Sequence, residues 1–200
     1  MAKPDLQELY PPPAGITRTK QIDHLDAHCR DFIALSPFVT LATSGADGSC
    51  DVSPRGGPPG FVKVLDELRV AIPDAKGNRR IDSIGNIAEN PQAALLFLIP
   101  GMSETLRVNG RASLETDDEL LEAVAVDGTA VVPKLAIVVE AEEVFLHCGK
   151  AMIRSELWDS STWPEEKPSA ARIFKDHAKL EDRVEEIQAY LDEGQRTRLY

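Results

Sequence analysis

Residues 68–99 read Leu68-Arg-Val-Ala-Ile-Pro-Asp-Ala-Lys-Gly-Asn-Arg-Arg-Ile-Asp-Ser-Ile-Gly-Asn-Ile-Ala-Glu-Asn-Pro-Gln-Ala-Ala-Leu-Leu-Phe-Leu-Ile99. Leu68 to Ile72 is a short apolar strand closed by Pro73. Ile81, Ile84, Ile87 and Ala88 then recur at helical spacing and predict a helix from about Arg79 to Glu89. Asn78 is its expected N-cap, and Pro91 follows its end. Ala93 to Ile99 is a second apolar strand. The first helical turn would therefore hold Arg79 and Arg80. The helix dipole prefers acids there, and an exposed cation costs roughly 0.3–1 kcal/mol. Two readings stay open. An anion sits against the free N–H groups of the helix start, gripped by arginine forks, or both arginines are simply solvated.

Outward from that stretch, the chain has 200 residues, 42% of them hydrophobic, which suits one domain with added arms. Net charge is −11 and pI about 4.8. An acidic surface repels nucleic-acid backbones and anionic membranes. No apolar run approaches the roughly 20 residues that span a bilayer. The start, Met-Ala-Lys-Pro-Asp-Leu, has no apolar signal core, so a cytoplasmic protein is expected. Cys29, Cys50 and Cys148 cannot all pair within one chain, which suits free thiols in a reducing compartment.

Residues 1–19, with Pro4, Pro11-Pro12-Pro13 and Gly15, are expected to be an extended arm. Ile22, Leu25, Cys29, Phe32 and Ile33 predict an amphipathic helix over 20–35. His24 and His28 on it lack a third ligand and are read as solvated. Phe38–Thr43 and Ser49–Pro54 form a hairpin around Ser44-Gly-Ala-Asp-Gly48. Arg55-Gly-Gly-Pro-Pro-Gly60 follows as a loop whose glycines let backbone approach a ligand. Glu104–Leu114 alternates Leu106, Val108 and Gly110 with Thr105, Arg107, Asn109 and Arg111, giving one buried and one polar face. A short helix over Asp117–Ala125 and a long strand over Leu135–Leu146 come next. Residues 159–178 read as polar loop, and Leu180, Val184, Ile187 and Leu191 mark a last helix. Antiparallel strands with peripheral helices predict a mainly β fold, a β-barrel, or else an α+β sandwich. Its parts are the arm, a domain over 20–158, and a helical extension over 159–200 packed on that domain.

The common hydrolase and nucleotide motifs are missing, and no side chain reads as a nucleophile with a paired base. What remains is a set of polar and cationic residues at strand ends: Arg55, Lys76, Asn78, Arg79, Arg80, Lys150 and Arg154. They suit a phosphorylated small ligand. Trp158 is either a ring that stacks on that ligand or a core tryptophan. Redox chemistry supplied by a bound cofactor agrees with the missing nucleophile.

Four blocks carry a resemblance: Asp51-Val-Ser-Pro-Arg-Gly-Gly57; Ile72 to Ile87 with Glu89-Asn-Pro-Gln-Ala-Ala-Leu-Leu-Phe97; Glu104-Thr-Leu-Arg-Val-Asn-Gly-Arg111; and His147-Cys-Gly-Lys-Ala-Met-Ile-Arg-Ser-Glu-Leu-Trp158. The first three resemble the pyridoxamine 5′-phosphate oxidase-like FMN-binding proteins, the fourth is similar to a subgroup of oxidase-related flavoproteins, and the set in this order is specific. That resemblance implies a split β-barrel and a homodimer with FMN at the subunit interface. It implies that Val52, Ser53, Arg55 and Gly56 border the flavin, and that Pro73, Asp74, Asn78, Arg79 and Arg80 hold its edge and phosphate. Thr105 stands where the parent oxidase has glutamine, and Lys150, Arg154 and Trp158 approach from the partner subunit. The last helix, Leu180-Glu-Asp-Arg-Val-Glu-Glu-Ile-Gln188, lacks the parent's arginine- and histidine-rich grip, so pyridoxamine phosphate is not assigned as substrate. The implied function is an FMN-dependent oxidoreductase, with an unidentified small-molecule substrate or a nicotinamide electron donor. The alternative is a non-catalytic flavin carrier or sensor. A smaller alternative makes His147 an axial haem ligand.

Overall fold

The computed structural model describes residues 5–198 apart from Lys76, Asn78, Arg79, Asp127 and Ala130. Two one-turn helices, α1 (Leu6–Leu9) and α2 (Ile16–Thr19), precede α3 (Ala27–Leu35). Seven strands follow: β1 (Phe38–Ser44), β2 (Cys50–Gly56), β3 (Lys63–Val64), β4 (Arg69–Pro73), β5 (Gln92–Leu98), β6 (Thr105–Glu115) and β7 (Ala136–His147). Helix α4 (Asp82–Glu89) joins β4 to β5, and α5 (Asp118–Ala123) joins β6 to β7. After β7 come α6 (Lys150–Arg154), a 3-10 turn (Ser160–Thr162), α7 (Ala170–Ala178) and α8 (Val184–Thr197).

All seven strands belong to one sheet in the order β2-β1-β5-β6-β7-β4-β3, and each pairing is antiparallel. Alternation sets the two faces. Val39 and Leu41 of β1, Leu95 and Phe97 of β5, and Leu106 and Val108 of β6 point into the core. Phe32 and Ile33 of α3 and Ile87 of α4 pack there too. Each such side chain contributes roughly 1.5–3 kcal/mol by leaving water. On β4 and β7 both faces are covered, because Ala71, Ala136 and Val138 pack under Leu121 and Val124 beside α5.

The order puts β2 at one end of the sheet and β4 next to the other end. Arg55 on β2 nevertheless reaches Asp74, which follows β4, at 3.1 Å. Only a sheet curled on itself brings those ends together, so the expected barrel is present, with a seam between β2 and β4.

Three local expectations are corrected. Helix α3 starts at Ala27, where the Asp26 carboxylate accepts the Cys29 N–H at 2.8 Å. Upstream, Ile22 exchanges backbone hydrogen bonds with Val144 at 3.0 and 2.8 Å, so its apolar spacing reports a bridge to β7. The N-terminal arm is not wholly extended, since α1 and α2 interrupt it. Residues 159–178 contain α7, whose main packing partner is α8. Among the described residues no helix is long and apolar enough to cross a membrane.

Candidate functional site

The seam encloses a cavity of about 440 Å³, within the range of roughly 300–1,000 Å³ usual for small-molecule sites. Strand β2 supplies its floor. By alternation Asp51, Ser53 and Arg55 turn inward, while Val52 turns out and is 65% exposed. Gly56 closes the floor, Pro73 and Asp74 form a wall at the end of β4, and Arg80 to Ile84 form the other wall. Ala75, Gly77, Phe61 and Val126 complete the lining.

A hydrogen-bond chain runs along this floor. Ser83 Oγ donates to Asp51 Oδ2 at 2.6 Å, and Ser53 Oγ lies 3.1 Å from Ser83 Oγ. Arg55 Nε donates to Ser53 Oγ at 3.3 Å, and its terminal nitrogen pairs with Asp74 at 3.1 Å. Ser83 is only 4% exposed, so this chain satisfies a hydroxyl that would otherwise be costly to bury. Helix α4 is tied to β1 beside the cavity by Asn86 Nδ2 to Thr43 Oγ1 at 3.0 Å and Asn90 Nδ2 to Ser44 Oγ at 2.8 Å.

The start of α4 departs from expectation. Ile81 is its N-cap and makes no side-chain cap bond, and the first turn carries Asp82. Arg80 lies before the helix and its Nε bonds the Asp82 carboxylate at 2.9 Å. The dipole therefore meets an acid, and for Arg80 the argument from a misplaced first-turn cation falls away. Asn78 and Arg79, with Lys76, lie outside the described residues. The glycines of the Arg55 loop also have another reason. A Cβ on Gly57 would stand 2.7 Å from Phe61 Cβ, so its bareness seats Phe61 against the cavity.

The remaining expected site residues lie elsewhere in the single chain. Thr105 opens β6 in register with His147 and is buried. Lys150 and Arg154 are exposed on and at the end of α6. Trp158 donates Nε1 to the Met102 carbonyl at 2.8 Å, so it is pinned to the β5–β6 turn. Next to Thr105 sits a cationic cluster. Arg107 bonds Glu143 at 2.7 Å and lies 4.1 Å over the Phe145 ring, and Lys20 Nζ lies 4.7 Å from the same ring. Among the described residues the buried Arg107 Nε has no hydrogen-bond partner. His147 packs on Phe145 at 4.9 Å. Burial, then the Arg107 and Lys20 charges, hold its imidazole below the ordinary histidine range.

Asp51, Phe61, Ser83 and Val126 were not among the expected site residues. The signal for Asp51 was present, since it shares the two-residue period of Ser53 and Arg55. Ser83 shows no such signal, because its place follows from where α4 begins. Among the described residues no three His, Cys, Asp or Glu side chains gather as a metal site.

The family model for pyridoxamine 5′-phosphate oxidase matches residues 25–148. Among solved structures, HupZ of Group A Streptococcus superposes with a TM-score of 0.50 at 20% identity, over 60% of this chain and 92% of that one. A candidate pyridoxamine 5′-phosphate oxidase of Lactobacillus delbrueckii gives a TM-score of 0.48 at 25% identity, over 62% and 95%. An FMN-binding protein of Syntrophomonas wolfei gives 0.49 at 14%, over 60% and 83%. No curated protein sequence matches significantly. The HupZ likeness, at its low identity, concerns the fold.

Proposed function

The chain belongs to the pyridoxamine 5′-phosphate oxidase family, and from that premise we propose that it is an FMN-dependent oxidoreductase working as a homodimer. The observation that carries this reading is the seam cavity, where two arginines, two serines and a free strand edge meet. Among the described residues strand β2 has a strand neighbour on one side only. Its outer row of backbone N–H and C=O groups is therefore open to the polar edge of a flat heterocycle. Arg55 and Arg80 supply cationic forks for a phosphate, and Ser53 offers a hydroxyl to the ribityl chain. When bound, FMN would supply the electron-transfer chemistry. The chain's part is to bind, orient and shield it.

The homodimer half of the reading rests on the outer sheet face. Val52, Ala42, Ala94 and Asn109 stand in one cross-strand row, and Pro54, Thr40, Leu96 and Arg107 in the next. Such a largely apolar face suits burial against a second copy. In that arrangement Lys150, Arg154 and Trp158 of the other subunit complete the site. The substrate is a small molecule, and NADH or NADPH is the electron donor to test first.

The test is direct. Apo-protein is titrated with FMN, and its visible band is then followed after adding NADH or NADPH. Micromolar binding with bleaching supports the proposal. A colourless protein that binds no flavin, or a 21.9 kDa monomer in light scattering with FMN bound, overturns it.

A further inference from the structure

We infer that Asp74 is a built-in competitor anion: it pairs with Arg55 across the seam and is displaced by a ligand phosphate, so it selects phosphate esters over carboxylates. The inference rests on the phosphate-binding reading of the cavity. Among its described lining residues the acids Asp51, Asp74 and Asp82 outnumber the cations Arg55 and Arg80. Both cations are already engaged, Arg55 by Asp74 at 3.1 Å and Arg80 by Asp82 at 2.9 Å. An anionic ligand therefore meets no idle arginine among these residues.

The three acids are not equivalent. Asp51 accepts a hydrogen bond from the Ser83 hydroxyl. Asp82 pairs with Arg80 two residues away, in a contact whose side chains are 74% and 51% exposed. Asp74 alone bridges the seam, and the Arg55–Asp74 side chains are 20% and 31% exposed. Its backbone is fixed, because Asp74 N donates to the Leu135 carbonyl at 2.9 Å. The carboxylate can leave Arg55 by side-chain rotation alone, without disturbing β4.

The chemistry of exchange then sets the preference. Replacing one carboxylate by another on Arg55 is close to neutral, and the displaced Asp74 still repels the newcomer. A phosphate monoester brings about 1.5 to 2 negative charges and three acceptor oxygens. It gains enough from the planar fork to displace a single-charge competitor.

The experiment compares wild type, Asp74→Asn and Asp74→Glu. FMN and riboflavin binding are read by flavin fluorescence. Protection by inorganic phosphate and by acetate is read by thermal shift. Asp74→Asn is expected to tighten FMN by roughly two- to fivefold, the range of a partly exposed ion pair. Riboflavin, which lacks the phosphate, is expected to be unchanged. Acetate, ineffective on wild type, is expected to protect Asp74→Asn. Asp74→Glu keeps the charge and is expected to behave as wild type. Loss of affinity for both flavins would show that Asp74 holds the ring and would overturn the inference, as would an unchanged ratio of FMN to riboflavin. If wild type binds neither flavin, the function proposed above fails on its own. The phosphate and acetate arms still decide the role of Asp74: equal responses of wild type and Asp74→Asn to both anions would overturn it.

Discussion

Gly110 should be irreplaceable for a reason that has nothing to do with flexible backbone, because its φ is not in the left-handed region. It sits at the bulge where β6 and β7 lose simple register, next to Asn109. A Cβ built there would lie 1.8 Å from the Glu140 carbonyl oxygen, against a floor of 3.0 Å for real contacts, a shortfall of 1.2 Å. The obstacle is backbone, and Glu140 is paired on both sides, with Arg111 of β6 and Arg69 of β4. No side chain can swing away. Overpacking a core usually costs 1–3 kcal/mol, so about 3 kcal/mol or more is expected here. At about 2–4 °C per kcal/mol for a chain of this size, Gly110→Ala should melt roughly 6–12 °C below wild type. Gly85 is the internal control. It lies mid-helix in α4, and an added Cβ meets nothing within 4 Å. Gly85→Ala should gain about 0.5–1 kcal/mol, because glycine weakens helix interiors. The assay is thermal melting of both apo-proteins by circular dichroism. A Gly110→Ala protein melting within ~2 °C of wild type, or Gly85→Ala falling as far as Gly110→Ala, would refute the steric argument.

Three further outcomes are expected. Arg55→Ala should weaken FMN by about ten- to a hundredfold, the worth of a charge-assisted bond, while riboflavin loses far less; equal losses in the two titrations would remove Arg55 from the phosphate. His147 should titrate below a free imidazole by NMR, and Arg107→Gln should raise its midpoint. Because its folded-state pKa is depressed, the unfolded chain takes up the proton first as pH falls below the ordinary imidazole value. The His147 contribution to stability is therefore present above that value and lost on acidification, which melting curves across that window check against His147→Gln. Burial, with the Asp26 carboxylate beside it, pushes the Cys29 thiol up to about 12. Cys29 should stay unmodified by a thiol reagent in the native protein and react only on unfolding. Its labelling at the rate of the exposed Cys50 and Cys148 would contradict that environment.

Most of the sheet was legible because its strands obey a two-residue period. Leu106, Val108 and Ala112 face the core while Arg107 and Arg111 do not, and this pattern is written in the sequence. Strand β3 has only Lys63 and Val64, too few residues for any period to show. Ile22 misled for the opposite reason, since one apolar residue extends a helical stripe as well as it anchors a bridge. Helix α7 went unseen because Pro164, Pro168 and the polar residues around them read as loop, which masked the short helical spacing of Ala170, Ile173, Phe174 and Ala178. At the site, Arg55, Gly56 and Arg80 were singled out from the residues themselves, while Ser53, Pro73 and Asp74 followed only from the family resemblance; all six line one cavity. Their partners were not legible: Arg55 meets Asp74 only after the whole sheet has curled, and no local pattern encodes a contact of that range.

That long-range contact has a kinetic consequence. The cavity borrows its walls from strands separated in the sheet by β1, β5, β6 and β7, so no early folding unit contains it. A chain with β5, β6 and β7 zipped but the seam open has a hydrophobic nucleus and no binding site. Non-local closure of this kind is the slow part of folding. A ligand that grips both edges binds the closed form alone and stabilises it by mass action, by about 2.7 kcal/mol at a hundred times its Kd. Occupancy then favours the closed barrel over forms whose seam is open. Hydrogen exchange at β2 and β4 should then slow on ligand binding well before exchange in the central strands changes at all.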